Sequence, residues 1–313
     1  MTELTKRNHS LTRSQSNELL NIPEESVWLA NYTSKATQKT YSVAVREFFQ
    51  YHDMRDIIDL RTSSSAHIIA WRDQLINSGA TSRTVNNRLS ALSSLFKHLC
   101  EKQIISKNPV HGIKRPKVNQ SQVKTPSITK QQVRKILELP DQSTPKGLRD
   151  AAILYTYFYS GCRRSEVRNL KASHILKDNG YYVMDFTVKG GKENRLAVHP
   201  ELQNVLEKYM SSANHLDEPD VPLFISIQKN ENRKPLNPKS LNRIFKHYIL
   251  KAGLPGNITP HSARATFITE ALKNNCSIEA VQASVAHANI STTQMYDKRK
   301  KNYKDSASLA VRF

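Results

Sequence analysis

The chain has 313 residues, 38% of them hydrophobic, which is enough to bury the cores of two domains and too many for a disordered protein. Its 47 lysines and arginines outnumber its 27 acidic residues, and the net charge of +20 favours a polyanionic partner, nucleic acid first. The sequence has no apolar run that could span a bilayer, no secretory signal, and only three scattered cysteines, which argues against a disulfide framework. We therefore expect a cytoplasmic, nucleoid-associated protein that does not bind a membrane.

Residues 1–23 are polar and without periodicity, so they are predicted to form a flexible tail. From Glu24 the sequence indicates helices: a short one over EESVWLANY, then one over TQKTYSVAVREFFQYH, whose apolar residues recur at amphipathic spacing. Another is predicted from about Ala66 to Gly79, a natural C-terminal residue for a helix. Its apolar residues are Ile68, Ile69, Trp71 and Leu75. Residues 24–113 are thus predicted to form an all-helical domain.

The last helix predicted in this domain runs from Ser82 to about Glu101. Its apolar stripe is Val85, Leu89, Leu92, Phe96 and Leu99, and its other faces carry no acidic residue before Glu101. Basic and amide side chains reach phosphates and base edges, and the charge of the whole chain favours DNA over a merely solvated helix face. The candidate DNA-binding residues, here and just beyond the helix, are Arg83, Asn87, Arg88, Lys97, Lys114 and Arg115.

Residues 114–127, KRPKVNQSQVKTPS, have the basic, proline-containing composition of an exposed linker. Thr129 and Gln132 then form a capping box that opens a second domain, residues 128–313, which includes a C-terminal tail. Within it a buried helix from about Leu148 is predicted to end at Gly161. YYVMDFTV and NRLAVHP, with two glycines between them, indicate a small antiparallel hairpin. Helices are predicted to follow over 201–211 and 238–252 and in the closing segment.

The closing segment, residues 259–296, gathers four side chains that could act on a phosphate. Thr259 is a good N-cap and Pro260 suits a first helical position, so His261 and Arg264 share one face of the first turn. An imidazole, a guanidinium and a helix N-terminus together attract an anion. His287 and Tyr296 follow, nine residues apart.

This segment resembles the C-terminal signature of the tyrosine recombinases, also called the phage integrase family: His-x-x-Arg, a Gly-His pair, and a nucleophilic tyrosine nine residues beyond that histidine. Upstream, Gly161-Cys162-Arg163-Arg164-Ser165-Glu166 resembles the family's Gly-x-Arg-x-Ser-Glu motif, which assigns the first active-site arginine to Arg163. Lys189-Gly190-Gly191-Lys192 resembles the hairpin that carries a lysine general acid. That role maps to Lys189, with Lys192 as the second choice.

Three positions depart from the family pattern: Val188 and Ala286 stand where glycines are usual, and Ala265 where a histidine is frequent. Ala265 and Ala286 are adjacent to expected catalytic residues, so we expect altered packing there with the chemistry retained. The N-terminal region also resembles the family's core-binding domain, through TxxTYxxxVxxF and SxxTVNxRLSALSSLFKHL. The resemblance implies a mainly α fold, with an all-helical, SAM-like N-terminal domain and a mostly helical catalytic domain that carries a small antiparallel sheet, in a Xer-like two-domain architecture.

The groups themselves indicate a mechanism. Two guanidiniums, Arg163 and Arg264, would neutralise a phosphodiester and stabilise the pentavalent transition state. A phenol with an ordinary pKa of about 10 needs a base, for which His261 is the candidate. Lys189 would protonate the departing 5′-oxygen and His287 would hydrogen-bond the phosphate, leaving a 3′-phosphotyrosyl bond at Tyr296. That bond stores the phosphodiester energy, so we expect no metal, nucleotide or other cofactor.

The implied function is site-specific recombination of double-stranded DNA, for integration or excision of a mobile element or for resolution of DNA dimers. The expected assembly is a monomer in solution and a homo-tetramer on paired sites, closed by cyclic exchange of the C-terminal SLAVRF, with an accessory DNA-bending protein as a further partner. Two alternatives stay open from the sequence. One is a type IB topoisomerase-like enzyme that relaxes DNA, and the other is a catalytically decayed DNA-binding regulator.

Overall fold

The computed structural model describes residues 22–118, 128–188, 190–215, 218–227 and 233–297. The chain divides into two compact units, residues 1–119 and 120–313, which are considered separately below. The predicted N-terminal tail up to residue 21, most of the predicted linker and the C-terminal tail after residue 297 lie outside the described residues. Domain boundaries at 113, 114, 127 and 128 therefore stay predictions.

The N-terminal unit is helical throughout the residues described. Its helices are α1 Glu24–Ala30, α2 Lys35–Tyr51, α3 Ile57–Arg61, α4 Ser65–Asn77 and α5 Ser82–Glu101. The predicted apolar stripe of α5 is fully buried and forms the centre of the core. Trp71 from α4 and Phe48 from α2 pack on it with their rings edge to face, 5.2 Å between centroids.

Two details of this unit differ from the sequence prediction. Helix α3 was not predicted: it has only five residues, and its start depends on Asp56, whose carboxylate accepts hydrogen bonds from the backbone N–H groups of Ile58 and Asp59. Ile69, assigned to the apolar face of α4, is instead 39% exposed, because Ile68 and Trp71 occupy the buried side of the helix.

The second unit is mostly helical around one small sheet. Its helices are α6 Lys130–Glu138, α7 Pro145–Ser160, α8 Arg164–Asn169, α9 Pro200–Ser212, α10 Pro238–Lys251, α11 Pro260–Lys273, α12 Ile278–Ser284 and α13 Ile290–Gln294. Helix α7 is apolar on most of its circumference and is accordingly the buried central helix. The predicted capping box at Thr129 and the proline start at Pro260 are both present.

The sheet has three antiparallel strands in the order β1-β2-β3: β1 Ile175–Asp178, β2 Tyr181–Thr187 and β3 Glu193–Ala197. The β2-β3 hairpin was predicted, whereas β1 was not, because ILKD is too short to show a clear alternation. Arg195 on β3 binds the carboxylates of Asp185 and Asp178, at 2.7 Å and 2.6 Å, and so ties the three strands together on one face.

The C-terminal end of the described chain forms a separate small core. Helices α11, α12 and α13 enclose a cluster of Ala265, Ile268, Leu272, Val281, Val285 and Tyr296. This packing places the segments that carry the predicted catalytic residues around one another. The fold class predicted from sequence, mainly α with one small antiparallel sheet, is confirmed. Among the described helices, none is long and apolar enough to cross a membrane.

Candidate active site

Arg264 is the most deeply buried of the predicted site residues, at 1% exposure on the first turns of α11. Its guanidinium donates hydrogen bonds to two main-chain carbonyls from distant parts of the chain, Gly161 O at 2.8 Å and Val285 O at 2.5 Å. It also lies 3.9 Å from the carboxylate of Glu166. Burial lowers the pKa of Arg264 to about 10, and the neighbouring charge of Arg163 acts in the same direction. These contacts fix the planar guanidinium of Arg264 in one orientation.

Arg163 is held by Glu166, which is itself 3% exposed. One carboxylate oxygen of Glu166 accepts a hydrogen bond from the backbone N–H of Arg163 and the other from its guanidinium, both at 2.6 Å. This is a capping box at the start of α8, with Arg163 as the N-cap residue. The guanidinium also donates to Ala286 O at 3.5 Å. Since a third of the Arg163 side chain is exposed, it can still bind a ligand from solvent.

A tight turn after α12 supplies carbonyl groups to both arginines. Val285 O accepts a hydrogen bond from Arg264 and Ala286 O accepts one from Arg163. The turn therefore lies directly against the two guanidiniums. Ala286 has a φ of +48°, in the left-handed region that favours glycine. Ala286 therefore keeps the left-handed backbone conformation that the family's glycine would adopt. This conformation is sterically unfavourable for alanine.

His287 follows this turn and is oriented by two neighbours. Its Nδ1 lies 2.9 Å from the hydroxyl of Thr293, which is fully buried on α13. Its main-chain carbonyl accepts a hydrogen bond from the side-chain amide of Gln282 at 2.9 Å. Burial lowers the pKa of His287 to about 4, with Arg264, Arg163 and His261 contributing repulsion. The imidazole is therefore neutral at physiological pH.

Tyr296 is 6% exposed and lies beside His287, with the two rings nearly parallel at 19° and their centroids 6.4 Å apart. Burial raises the pKa of the Tyr296 phenol, while the charges of Arg264 and Arg163 oppose that increase. The phenol thus lies within the electrostatic reach of both guanidiniums. In the absence of a base it is protonated at neutral pH.

His261 lines a cavity of about 410 Å³, whose other lining residues include Arg163, Arg264 and Asn242. Partial burial lowers the pKa of His261, and Arg264 and Arg163 lower it further. Its imidazole is consequently unprotonated at neutral pH and can accept a proton. The structure therefore brings five of the six predicted catalytic residues together: Arg163, His261, Arg264, His287 and Tyr296.

The sixth, Lys189, lies outside the described residues, so its assignment stays a prediction. Two backbone hydrogen bonds join the described residues on either side of it, from Val188 N–H to Lys192 O at 2.8 Å and from Gly191 N–H to Val188 O at 3.1 Å. Lys192, the second choice, is exposed. Next to it, the side-chain amide of Asn194 on β3 donates to the carbonyls of Ala283 and Ser284, which connects the hairpin to α12.

The predicted DNA-binding residues lie in the N-terminal unit and differ in their surroundings. Arg83, Asn87 and Lys97 are exposed along α5, Lys97 within 3.6 Å of Glu101. Arg88 instead binds Glu47 at 2.5 Å and is half-buried. Beyond the helix, Lys114 and Arg115 are exposed.

The chain just after that domain folds back on α5. The Arg115 guanidinium donates to Asn86 O at 3.0 Å and to the Ser90 hydroxyl at 2.8 Å. Lys114 O accepts from Arg72 at 3.1 Å, and Pro116 O accepts from the side-chain amide of Asn86 at 3.1 Å. The first residues of the predicted linker are thus bound to the N-terminal unit, which places their basic side chains next to the exposed face of α5.

Sequence reasoning missed the residues that orient the site. Thr293 and Gln282 hold His287, and neither belongs to a motif with a recognisable chemistry. Glu166 was predicted only as a position of the motif that contains Arg163. Its place three residues after the N-cap is nevertheless the signature of a capping box. In the described part of the chain, no cluster of three histidine, cysteine or acidic side chains has the arrangement of a metal site.

Comparisons with known proteins agree with the geometry. The model of the phage integrase family matches residues 126–302, and that of the phage integrase N-terminal SAM-like domain matches residues 19–106. The tyrosine recombinase XerD of Listeria monocytogenes is 30% identical over 266 residues, covering 84% of this chain and 88% of that protein. The tyrosine recombinase XerC of Chlamydia caviae is 30% identical over 228 residues, covering 71% of this chain and 70% of its own.

Solved structures show the same fold. XerH site-specific recombinase bound to its difH substrate aligns with a TM-score of 0.66 at 19% identity, over 90% of this chain and 83% of that one. A lambda integrase tetramer bound to a Holliday junction aligns with a TM-score of 0.67 at 18% identity, over 96% and 81%. An all-helical SAM-like domain followed by a catalytic unit with a buried arginine, a second, partly exposed arginine and a C-terminal tyrosine defines a DNA strand-transfer enzyme. The chain belongs to the phage integrase family, and it is a site-specific tyrosine recombinase.

Proposed function

We propose that Tyr296 attacks a DNA phosphodiester and forms a 3′-phosphotyrosyl intermediate, which a second strand end then resolves. The observation that carries this proposal is the position of the Tyr296 phenol beside His287 and within the field of both Arg163 and Arg264. A nucleophile that approaches a phosphate needs the phosphate's charge neutralised first. Two guanidiniums held by buried partners can do this without reorganising during the reaction.

The two arginines act on the non-bridging oxygens of the scissile phosphate. Arg264 is fixed by two carbonyls and Arg163 by Glu166, so both forks are preorganised for bidentate contacts. Their combined charge stabilises the extra negative charge of the pentavalent transition state. The cavity of about 410 Å³ beside them is large enough for one phosphate group and its sugar.

The histidines divide the remaining hydrogen-bonding roles. His261, with a lowered pKa, accepts the proton of the Tyr296 phenol. His287 is neutral and its Nδ1 faces Thr293; in the tautomer that this scheme requires, the hydroxyl of Thr293 donates to Nδ1 and the Nε2–H donates to the phosphate. Lys189 protonates the 5′-oxygen that departs, with Lys192 as the alternative. The order of proton transfers is then Tyr296 to His261 and Lys189 to the leaving strand.

The DNA partner and the assembly follow from the family. XerH site-specific recombinase is bound to its difH substrate in one of these structures, and lambda integrase is a tetramer bound to a Holliday junction in the other. By analogy, we propose that this chain binds a specific double-stranded site, partly through Arg83, Asn87, Arg88, Lys97, Lys114 and Arg115, and assembles as a tetramer on paired sites. Cyclic exchange of the C-terminal SLAVRF, which lies outside the described residues, joins the subunits; the deletion that tests it removes residues 307–313. Deleting them should impair tetramer formation while half-site cleavage persists.

No metal or nucleotide takes part in this scheme, because the phosphotyrosyl bond conserves the energy of the broken phosphodiester. We therefore expect strand cleavage to be undiminished by EDTA and independent of ATP. Loss of cleavage on chelation would count against the proposal.

The deciding experiment is covalent trapping on a nicked suicide substrate that carries the target site. Wild type should become covalently linked through Tyr296, and Tyr296→Phe should bind the DNA without trapping. Tyr181→Phe, at a tyrosine that is 69% exposed on β2, is the matched control and should trap normally. Trapping by Tyr296→Phe would refute the nucleophile assignment.

The same preparations separate the two alternatives. Relaxation of supercoiled plasmid without regard to sequence would favour the topoisomerase-like enzyme, and site-specific binding by wild type without any trapping would favour the decayed regulator. Sequencing the DNA bound to Tyr296 then identifies the site. That sequence distinguishes integration or excision of a mobile element from resolution of DNA dimers.

A further inference from the structure

The C-terminal end of helix α12 binds side chains from three separate parts of the catalytic unit. The side-chain amide of Asn194 on β3 donates hydrogen bonds to the carbonyls of the last two helical residues, Ala283 at 3.2 Å and Ser284 at 3.1 Å. The next two carbonyls along the chain accept from the two active-site arginines. The last carbonyls of a helix lack intrahelical donors, so donors from elsewhere fix this end of the chain. One short segment therefore joins β3 to both arginines.

Asn194 lies on the inner face of the sheet. It pairs across the ladder with Phe186, which is 3% exposed, whereas its neighbour Arg195 lies on the exposed face. A polar group on an apolar face is stable only where it finds partners, and both bonds of this amide go to α12. Among the described residues from Thr187 to Asn194, Asn194 is the one whose side chain hydrogen-bonds to another element. It is thus the polar contact between this end of the hairpin and α12.

The two arms of the hairpin move together with Asn194. The strands are paired up to the last residue of β2 and the first of β3, and beyond them Val188 N–H donates to Lys192 O at 2.8 Å. Lys192 precedes Asn194 by two residues along the chain, and Lys189 precedes it by five. A shift of β3 relative to α12 is therefore transmitted to the segment that carries both lysines.

We propose that Asn194 is a positioning residue for the proton transfer to the leaving strand, because it holds the lysine-bearing hairpin at a fixed place relative to the segment that orients Arg163 and Arg264. Without the amide the hairpin retains its strand pairing but loses its hydrogen bonds to α12. A misplacement of about 1 Å can lower a rate on the order of 100-fold. Asn194 acts through the lysine and not on the substrate. The inference rests on the proposed function, in which a lysine of this hairpin is the general acid.

The identity of the leaving atom isolates this proton transfer. When Tyr296 attacks, its phenolate oxygen forms a bond to phosphorus and the bond from phosphorus to the 5′-oxygen breaks. The electron pair stays on the 5′-oxygen, which takes a proton from the lysine ammonium, since an alkoxide is about as basic as hydroxide, whose conjugate acid has a pKa of about 15.7. A thiol has an ordinary pKa of about 8.5, so a bridging sulfur departs as a thiolate without a proton.

The first test compares single-turnover cleavage of two suicide substrates that differ only in the bridging atom, oxygen or sulfur, at the scissile 5′ position. Asn194→Ala should cleave the oxygen substrate on the order of 100-fold more slowly than wild type and the sulfur substrate at the wild-type rate. Asn194→Asp retains the shape of the side chain, but its carboxylate cannot donate to the two carbonyls, so it should show the same pattern. A full rate with sulfur also demonstrates that each variant is folded with its phosphate-binding residues in place.

Arg195→Gln is the matched control on the same strand. Arg195 lies on the opposite face of β3, where it binds Asp185 and Asp178 and does not contact α12 through a hydrogen bond. Its substitution should lower the melting temperature but leave the rates on both substrates, measured at saturating protein, equal to those of wild type. If Arg195→Gln showed the same selective loss with oxygen, any weakening of β3 would suffice, and Asn194 would have no specific role.

A double-variant cycle tests whether Asn194 acts through a lysine. Lys189→Ala and Lys192→Ala are each measured alone and in combination with Asn194→Ala. Once the lysine that serves as the acid is removed, Asn194→Ala should cause no further loss on the oxygen substrate, because there is no group left to displace. Combined with the other lysine variant, the loss due to Asn194→Ala should persist in full. The cycle thereby also decides between Lys189 and Lys192.

The outcomes separate this inference from the function on which it rests. Equal losses of Asn194→Ala on oxygen and sulfur, a wild-type rate on both, or a further loss in both double variants would overturn the inference. The proposed function would stand in those cases, provided that one lysine variant is slow with oxygen and restored by sulfur. If neither lysine variant distinguishes oxygen from sulfur, the general acid is not in this hairpin, and the inference fails with that assignment.

Discussion

The carboxylate of Glu166 holds Arg163 by two hydrogen bonds of 2.6 Å, one to the backbone N–H and one to the guanidinium, and lies 3.9 Å from Arg264. One buried side chain therefore caps helix α8, orients the first arginine and offsets the charge of the second. Without it, two guanidiniums would face each other with only main-chain carbonyls between them. We therefore expect the relative position of the two guanidiniums, and hence their binding of one phosphate, to depend on this carboxylate.

The substitution Glu166→Gln tests this dependence. A glutamine side chain retains the size and one acceptor but loses the charge, so we expect a loss of roughly 2 kcal/mol of unfolding free energy. Cleavage should fall on the order of 100-fold, because the arginines lose their alignment. Denaturant unfolding and single-turnover cleavage measure the two effects. Glu279→Gln, at an exposed glutamate on α12, should change neither, and an unaffected cleavage rate in Glu166→Gln would show that the carboxylate is only structural.

The strain at Ala286 leads to a second prediction. A φ of +48° destabilises the folded state by about 1 to 2 kcal/mol when the residue is alanine, and glycine would remove this strain. Glycine also gives the unfolded chain more backbone entropy, which offsets about 0.5 to 1 kcal/mol of that gain. Ala286→Gly should thus increase the free energy of unfolding by up to about 1.5 kcal/mol. The matched control is Ala288→Gly in the same loop, where φ is not positive and glycine should destabilise. If both variants are destabilised equally, the left-handed turn is not strained.

The local features of this fold follow from the sequence where a single segment specifies them. The apolar stripe of α5, the capping box at Thr129 and the proline start of α11 are all local signals, and the structure contains each of them. Helix α3 and strand β1 were missed because five and four residues are too few to show a period. Strand β1 is held in the sheet by contacts with other strands, such as the ion pair between Asp178 and Arg195 of β3. The sequence of β1 alone does not reveal such contacts.

In the candidate site, too, features specified by a single segment were predictable and contacts between distant segments were not. Residue types and spacing identified the arginines, the histidines and the tyrosine, since each belongs to a motif. The contacts that orient them are long-range: Arg264 binds Gly161 across 103 positions, and Arg163 binds Ala286 across 123. Main-chain carbonyls carry no sequence signal, because every residue has one. The orientation of the guanidiniums therefore became apparent only from the folded chain.

The lowered pKa of His287 predicts how stability depends on pH. An unfolded imidazole titrates near 6.5, whereas His287 in the folded protein titrates near 4, so between these values the unfolded state binds more protons. The melting temperature should accordingly fall as the pH is lowered from 6.5 towards 4, and this contribution should be constant above 6.5. His287→Gln should reduce the slope, whereas His111→Gln, at an exposed site in the other unit, should not. An unchanged slope in His287→Gln would contradict the assignment.

Gly161 offers a test of the link between packing and the catalytic arginine. It ends α7 with a φ of +61°, its carbonyl accepts from Arg264, and an added Cβ would lie 2.7 Å from the Phe267 ring. Gly253 ends α10 in the same conformation, with a φ of +77°, but an added Cβ there meets no atom within 4 Å. Both alanine variants incur the left-handed strain of about 1 to 2 kcal/mol, and only Gly161→Ala adds a clash.

We therefore expect Gly161→Ala to lose at least about 1 kcal/mol more unfolding free energy than Gly253→Ala, as measured by denaturant titration. A backbone shift at residue 161 that relieves the clash would also move the Gly161 carbonyl, so we expect the hydrogen bond from Arg264 to be disturbed as well. Single-turnover cleavage at saturating protein should then fall for Gly161→Ala and remain at the wild-type rate for Gly253→Ala. Equal losses of stability, or full cleavage by Gly161→Ala, would mean that Arg264 keeps its orientation without this carbonyl.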